Sequence, residues 1–305
     1  MNYFFNILLH RNFILIFGVF MGLIFGEYAT YFKGYTIYLL GLTMIFSTTG
    51  ISTKSIFPLK KIIQPFLVGT FLNYVVFGIV ILVLAWFLMP TKELFMGFVV
   101  IVAAPPGVAV IPFTGILKGD IEYSIFGVFG AFLASIFIAP ALVATFSDGS
   151  ISSMSLFILM IELVLIPLIL SRFLLHKRIF NFVSKIRGKV VDWGFAALIF
   201  IAVGMNRNVF FSNPKILILV SIVLLSGTFV IGSIYEYLIP KMNIPKERIT
   251  SQVLLLTIKS SGFSVVTAIT LFGKEAAIPS AILAVIVLMY LLFLSIKLEF
   301  KKKIS

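Results

Sequence analysis

The sequence predicts an all-α membrane protein of ten transmembrane helices, built as two inverted five-helix repeats whose helices 4 and 9 are broken and cross. Three observations carry that prediction. Hydrophobic residues make up 61% of the chain and charged ones 11%, with a mean hydropathy of +1.17, and the apolar residues come in long blocks. Such values lie far outside the range of soluble globular proteins. Two of the blocks are interrupted at mid-length, one by Ala103-Ala104-Pro105-Pro106-Gly107 and one by Ser260-Ser261-Gly262, about 155 residues further on. Finally, the basic residues between the blocks fall unequally on alternate sides.

Taken in order, the stretch from Met1 to Arg11 is too short to span and has no basic leader region, which predicts an interfacial helix that stays on the mature protein. Spans are expected at 12–28, 35–52, 64–89, 93–117, 121–146, 153–175, 190–207, 214–239, 248–273 and 276–297. With ten spans, the termini and every second loop share one side. That side collects eighteen of the 24 Lys and Arg, the other has five (Lys33, Lys92, Arg207, Lys215 and Lys274), and Lys259 is left inside a span. The asymmetry predicts a multi-pass protein of the plasma (inner) membrane with both termini cytoplasmic, and accounts for the basic pI without a nucleic-acid partner. The basic 176–189 segment is expected to be a loop, which could also touch anionic lipid.

Spans 5 and 10 begin at Ile121 and Ala276, again 155 residues apart, and the two breaks fall in spans 4 and 9. Five spans per half is an odd number, so halves 1–147 and 148–305 must insert in opposite senses. Paired interrupted helices in two inverted halves are the signature of a secondary transporter with its site at the bilayer midplane. The plainer reading is that Pro-Pro-Gly and Ser-Ser-Gly are ordinary kinks, which membrane helices tolerate.

Lys259 weighs against that plainer reading. It lies about eleven residues inside its span, ~16 Å deep at ~1.5 Å per residue and close to the middle of a ~30 Å hydrocarbon layer. Its stem of ~6 Å cannot bring the ammonium back to the headgroups. A charge so placed marks a functional site. Glu162, ~15 Å into span 6, is the second buried charge; it either pairs with Lys259, serves as a proton site for coupling, or packs as a hydrogen-bonded glutamic acid. The other acids fall at span ends or in loops, and His10 and His176 at membrane edges. The second halves of the broken helices begin near Val108 and Phe263, so their N-terminal N–H groups point to the centre and favour an anion, most simply a carboxylate. Polar side chains around that centre are sparse (Thr43, Ser47, Thr48, Asn73, Ser124, Ser260, Ser261, Ser264 and Thr267), which predicts a partly apolar organic acid rather than a sugar.

There is no cysteine, hence no thiolate metal site and no thiol nucleophile, and the two histidines are too few for a metal cluster. An integral-membrane enzyme would need convergent acid, base or metal groups at depth, and only Glu162 and Lys259 offer themselves, from different halves. No enzyme activity, no cofactor and no metal are expected.

The segment from Ala104-Pro105-Pro106-Gly107 through Leu117-Lys118-Gly119-Asp120 to Ser124, followed by Ala139-Pro140-Ala141-Leu142, resembles the span 4–5 signature of the bile acid:sodium symporter family. Gly41-Leu42-Thr43-Met44 resembles its Gly-Leu-Thr turn in span 2, and Lys259-Ser260-Ser261-Gly262 its Gln-Asn-Ser-Gly break in span 9. The resemblance implies a core of spans 3–5 and 8–10 carrying the crossing helices beside a panel of spans 1, 2, 6 and 7. It also implies transport of organic anions, usually driven by two sodium ions.

This chain departs from the implied sodium ligands. The first site would be held by positions that read Val110, Ile111, Ser124, Val128 and Leu255, and the second by Leu255, Asn73 and Lys259. One oxygen-bearing side chain of five remains in the first, and an ammonium stands beside the second, which repels a cation. The expected function is therefore alternating-access secondary transport of a small or amphipathic organic anion, independent of sodium, with Lys259 in the cation's place and a proton open as coupling ion. The residues expected at the substrate and coupling site are Lys259, Glu162, Asn73, Ser124, Ser260, Ser261, Gly262, Pro105, Pro106, Gly107, Thr43 and Ser264. The alternatives are a sodium-coupled bile-acid-type symporter and a non-transporting membrane sensor or structural protein. Arsenite exporters would bring a span 4 cysteine and sodium/proton antiporters buried Asp residues at the crossing, and both are lacking here. The expected partners are the lipid bilayer and the substrate anion.

Overall fold

A computed structural model describes residues 11–50, 60–107, 109–147 and 153–304. The expected interfacial helix over residues 1–10, with His10, and the positions Lys54, Val108 and Asp148 lie outside them. Among the described residues every regular element is helical, and the one β-bridge joins Pro106 to Lys259.

Helix α1 (Arg11–Ala29) runs through a 3-10 turn (Thr30–Tyr35) into α2 (Thr36–Thr48). α3 (Lys60–Thr70) continues through a π-turn (Phe71–Val76) into α4 (Phe77–Leu88). After α5 (Lys92–Ala103) comes the first break, then the short α6 (Val110–Ile116) and the long α7 (Ile121–Phe146). α8 (Ser153–Met160), a π-turn (Ile161–Leu165) and α9 (Ile166–Phe173) form one rod, followed by α10 (Lys177–Met205) and α11 (Arg207–Ser212). α12 (Pro214–Leu225) continues through a third π-turn (Ser226–Val230) into α13 (Ile231–Leu238). α14 (Lys246–Thr257) and α15 (Ser261–Phe272) flank the second break, and α16 (Ile278–Ile304) closes the chain.

Local chemistry explains the starts. Thr91, Asp120, Asn213 and Ser260 each accept a hydrogen bond from the backbone N–H three residues on, at α5, α7, α12 and α15. Pro214 at the first position of α12 has no N–H to leave unpaired.

Among the described residues, six helical stretches are long and apolar enough to cross a membrane: Phe13–Thr48, Lys61–Leu88, Ile121–Phe146, Arg178–Met205, Pro214–Leu238 and Ile278–Leu298. This is a multi-pass membrane protein. The first stretch is a hairpin rather than one rod. Along α1, Gly18, Gly22 and Gly26 face Ala196, Val203 and Gly204, ascending with α10, whereas along α2 Thr43 faces Gly194 and Gly50 beyond it faces Arg187, descending. The chain therefore reverses at the 3-10 turn.

One expectation is corrected here. Within the basic 176–189 segment, everything after the capping His176 is helical and belongs to α10, which starts at Lys177. Its charges sit on a helix that continues past the apolar part, and long basic side chains allow this because they keep their heads in water.

Close packing rests on small residues. A Cβ on Gly18 would lie 2.6 Å from Ala196 O, and on Gly22 2.9 Å from the Val203 Cβ. The Gly18-x-x-x-Gly22-x-x-x-Gly26 stripe is the small-residue pattern by which membrane helices bring backbones into contact. Elsewhere Gly69 meets Gly127 in the same way, joining α3 to α7.

α5 and α6 run antiparallel to α14 and α15. Thr91 Oγ1, before α5, donates to Glu275 Oε1 after α15 (3.0 Å). Ser251 Oγ on α14 donates to Asp120 O after α6 (2.8 Å), and Asp120 N to Glu247 O (3.0 Å).

Candidate functional site

The two breaks meet. Ala104 is extended, Pro105 and Pro106 supply no N–H, and on the other side Ile258 and Ser260 are extended as well. These short stretches lie side by side, with Gly107 N donating to Ile258 O (2.8 Å) and Ser260 N to Pro105 O (3.0 Å). Backbone groups released by one interruption are satisfied by the other, which makes irregular backbone tolerable inside an apolar protein. Gly107 suits the close approach, because a Cβ there would lie 3.0 Å from Lys259 O and push the two stretches apart.

Lys259 sits in the crossing with 1% of its surface exposed. Its Nζ donates to Val102 O (2.9 Å) and Asn73 O (3.2 Å) and lies over the rings of Tyr74 (4.7 Å) and Phe77 (5.3 Å). Val102 O is among the last carbonyls of α5, which have no helical donor, and Asn73 lies in a π-turn, where the wider repeat disturbs the α ladder. Two spare carbonyl dipoles and two ring faces thus solvate the ammonium, each desolvated cation–π contact contributing on the order of 2 kcal/mol. Asn73 also donates from Nδ2 to Ala104 O (3.4 Å), while its buried Oδ1 has no partner.

Of the residues expected at the site, Lys259, Asn73, Pro105, Pro106, Gly107, Ser260 and Ser261 come together at this crossing. Gly262 and Ser264 follow on α15, Gly262 facing Phe195 of α10, and the Ser264 hydroxyl donating to Ser261 O (3.0 Å). Three others are elsewhere. Ser124 shares a 2.7 Å hydrogen bond with Thr114, closing α6 onto α7. Thr43 donates to Leu39 O (2.7 Å) and packs on Gly194, between α2 and α10. Glu162 does not meet Lys259. Its π-turn buries Leu163 and Val164, and the carboxylate is turned to the exposed side. A Glu162→Gln change is accordingly expected to alter the thermal stability of detergent-purified protein by no more than about 0.5 kcal/mol; a larger loss would reveal a partner.

The ammonium turns toward α3 and α4, and a cleft lies beside the breaks. That central cleft is lined by Leu15, Phe113, Phe195, Ile199 and Leu291 together with Gly107, Lys259, Ser260 and Ser261. A second cleft lies between Ser47 and Gly50 at the end of α2, Ile111 and Pro112 on α6, and Arg187, Gly188, Val191 and Asp192 on α10. α6 and α10 line both. The carbonyls of Val102 and Asn73 were not foreseeable from residue types, since every residue has one. The aromatic pair Tyr74 and Phe77, following Asn73 in the chain, was a sequence hint of a cation's surroundings.

The sequence model of one family, described as the sodium bile acid symporter family, matches residues 36–213. The chain belongs to the sodium bile acid symporter family. The match includes the first break and stops short of the second, so Lys259 lies beyond it. Membership makes the protein one of a family of transporters rather than of enzymes. No individual curated protein matches it.

Proposed function

We propose that this symporter-family member is a secondary active transporter of a small or amphipathic organic anion of carboxylate type, working by alternating access without sodium. In this reading ten transmembrane helices form two inverted repeats, residues 1–147 and 148–305, in the plasma (inner) membrane with both termini cytoplasmic. Lys259 stands where relatives would bind a cation, and a proton is the coupling ion open to it.

The observation that carries the reading is the Lys259 ammonium, held 2.9 and 3.2 Å from two carbonyl oxygens at the crossing of the breaks. An ion joining the broken segments would need those electron-rich groups, and the amine already uses them. The positions that the resemblance assigns to sodium fit the ion poorly: Val110, Val128 and Leu255 are buried apolar side chains, and the hydroxyl of Ser124 is taken by Thr114. Sodium needs several hard oxygen ligands, and a cation within hydrogen-bonding distance of the remaining ones repels it. The mainly apolar central cleft, with Lys259, Ser260 and Ser261 among its lining, suits an amphipathic acid.

The test is uptake of labelled organic acids into vesicles containing the purified protein. Equal rates in sodium and choline buffers are expected; a strict sodium requirement sinks the coupling claim and favours the second reading, sodium-driven symport, to which the family's name points.

A further inference from the structure

The basic residues of α10 do not all face the same way. At ~100° per residue, Arg178, Lys185 and Lys189 fall within about 40° of one another on the helix, while Arg187 lies about 180° from them. Its face is the one that carries the buried Val183 and Val191 and that brings Gly194 against Thr43 of α2. A side bias of positive charge between spans accounts for how many basic residues lie there, but not for one directed inward.

Arg187 reaches across to the end of α2, where a Cβ on Gly50 would lie 3.1 Å from its Nη1. It lines the second cleft together with Ser47, with Ile111 and Pro112 of α6, and with Asp192. Among the described residues it forms no ion pair, and Asp192, on the same helix, has an interaction of its own. The α6 wall is the half-helix that leaves the first break, and α10 continues to Phe195 and Ile199 in the central cleft. Meanwhile the Lys259 ammonium is enclosed and bonded to Val102 O and Asn73 O, so it is not the group that meets a carboxylate arriving along these walls.

We propose that Arg187 is the anion-recognition residue of this cleft, its guanidinium receiving the substrate's carboxylate in a two-pronged contact with the Ser47 hydroxyl as a neighbouring donor. The inference rests on the organic-anion reading above. A planar guanidinium suits a carboxylate because two parallel N–H groups match its two oxygens, which a lysine cannot reproduce. The apolar faces of Ile111, Pro112 and Val191 would carry the rest of an amphipathic acid.

The experiment measures binding to detergent-purified protein by calorimetry and thermal shift. The probes are a series of carboxylates from octanoate to cholate, each paired with its uncharged methyl ester. For the acids that wild-type protein binds, Arg187→Gln is expected to raise Kd at least tenfold while leaving ester binding within twofold, Arg187→Lys to fall between, and the outward-facing Arg178→Gln to match wild type. An unchanged Kd in Arg187→Gln, with wild type binding acids in preference to esters, overturns this assignment alone. If wild type prefers no acid over its ester, the organic-anion reading falls with it. A fold failure of Arg187→Gln would be visible as a lost melting transition, and Arg187→Lys then decides: the acid Kd weakens if the two-pronged contact exists and stays put if it does not.

Discussion

Replacing Lys259 with methionine is expected to lower transport by roughly 100-fold or more while shifting stability comparatively little. The stability side is a near-cancellation. Methionine fills most of the same volume, and removing a buried charge relieves a desolvation cost of several kcal/mol. Against that, Val102 O and Asn73 O lose their donor, at roughly 1–3 kcal/mol each, and the contacts to Tyr74 and Phe77 lose their cationic partner. Function has no such offset. The ammonium is the strut that ties the end of α5 and the π-turn after α3 to the second break, and a 100-fold loss needs only about 2.7 kcal/mol of misplacement in the rate-limiting state. Lys259→Gln keeps an amide donor on a side chain one atom shorter, and should be impaired for the same reason. On the sodium-independent reading proposed above, it should also be indifferent to sodium, because Leu255 still offers no oxygen. Vesicle uptake and melting temperature measured on the same preparations check both halves; full uptake by the methionine variant would make the lysine a packing residue.

Gly22→Leu is expected to destabilise the protein by about 1–3 kcal/mol, the usual range for overpacking a close interface. Even the first carbon of the new side chain would sit 2.9 Å from the Val203 Cβ, 3.0 Å from Phe200 O and 3.1 Å from Gly204 N, two of which are backbone and cannot swing aside. α1 and α10 must then separate, and both line the central cleft through Leu15, Phe195 and Ile199. Transport should therefore fall together with the melting temperature, which drops roughly 2–4 °C per kcal/mol in a chain of this size. Gly34, around which there is open space, is the control: Gly34→Ala should change neither. Equal melting curves for Gly22→Leu and wild type would refute the close approach.

Much of the architecture was readable because it depends on composition and order. Apolar blocks located the helices, and Pro105-Pro106-Gly107 and Ser260-Ser261-Gly262 located the breaks, since two prolines and a glycine cannot continue a helix and a Ser-Ser pair offers a cap. The Gly18, Gly22 and Gly26 stripe is equally legible in the sequence as a small-residue repeat at helical spacing. The helical extension of α10 is not legible there, because its basic residues resemble a loop when judged by polarity alone.

The site was legible only in part. Lys259 and Asn73 stood out as polar residues among apolar ones, and they do meet. Glu162 stood out for the same reason and does not, because polarity reports that a residue is unusual and not which way its helix is rotated. Thr43 and Ser124 went the same way, each satisfied locally by a backbone carbonyl or a neighbouring hydroxyl.

By itself the sequence determined that the chain is a helical membrane protein, where its helices break, and that a lysine is buried at one break, since these follow from residue type and spacing along the chain. The tertiary structure alone decided that the two breaks pair with each other, that the ammonium turns toward Val102 and Asn73, and that Arg187 turns inward while its neighbours on α10 do not. Those outcomes depend on the azimuth of each helix against partners more than a hundred residues away, and a helix's rotation is set by what it packs against.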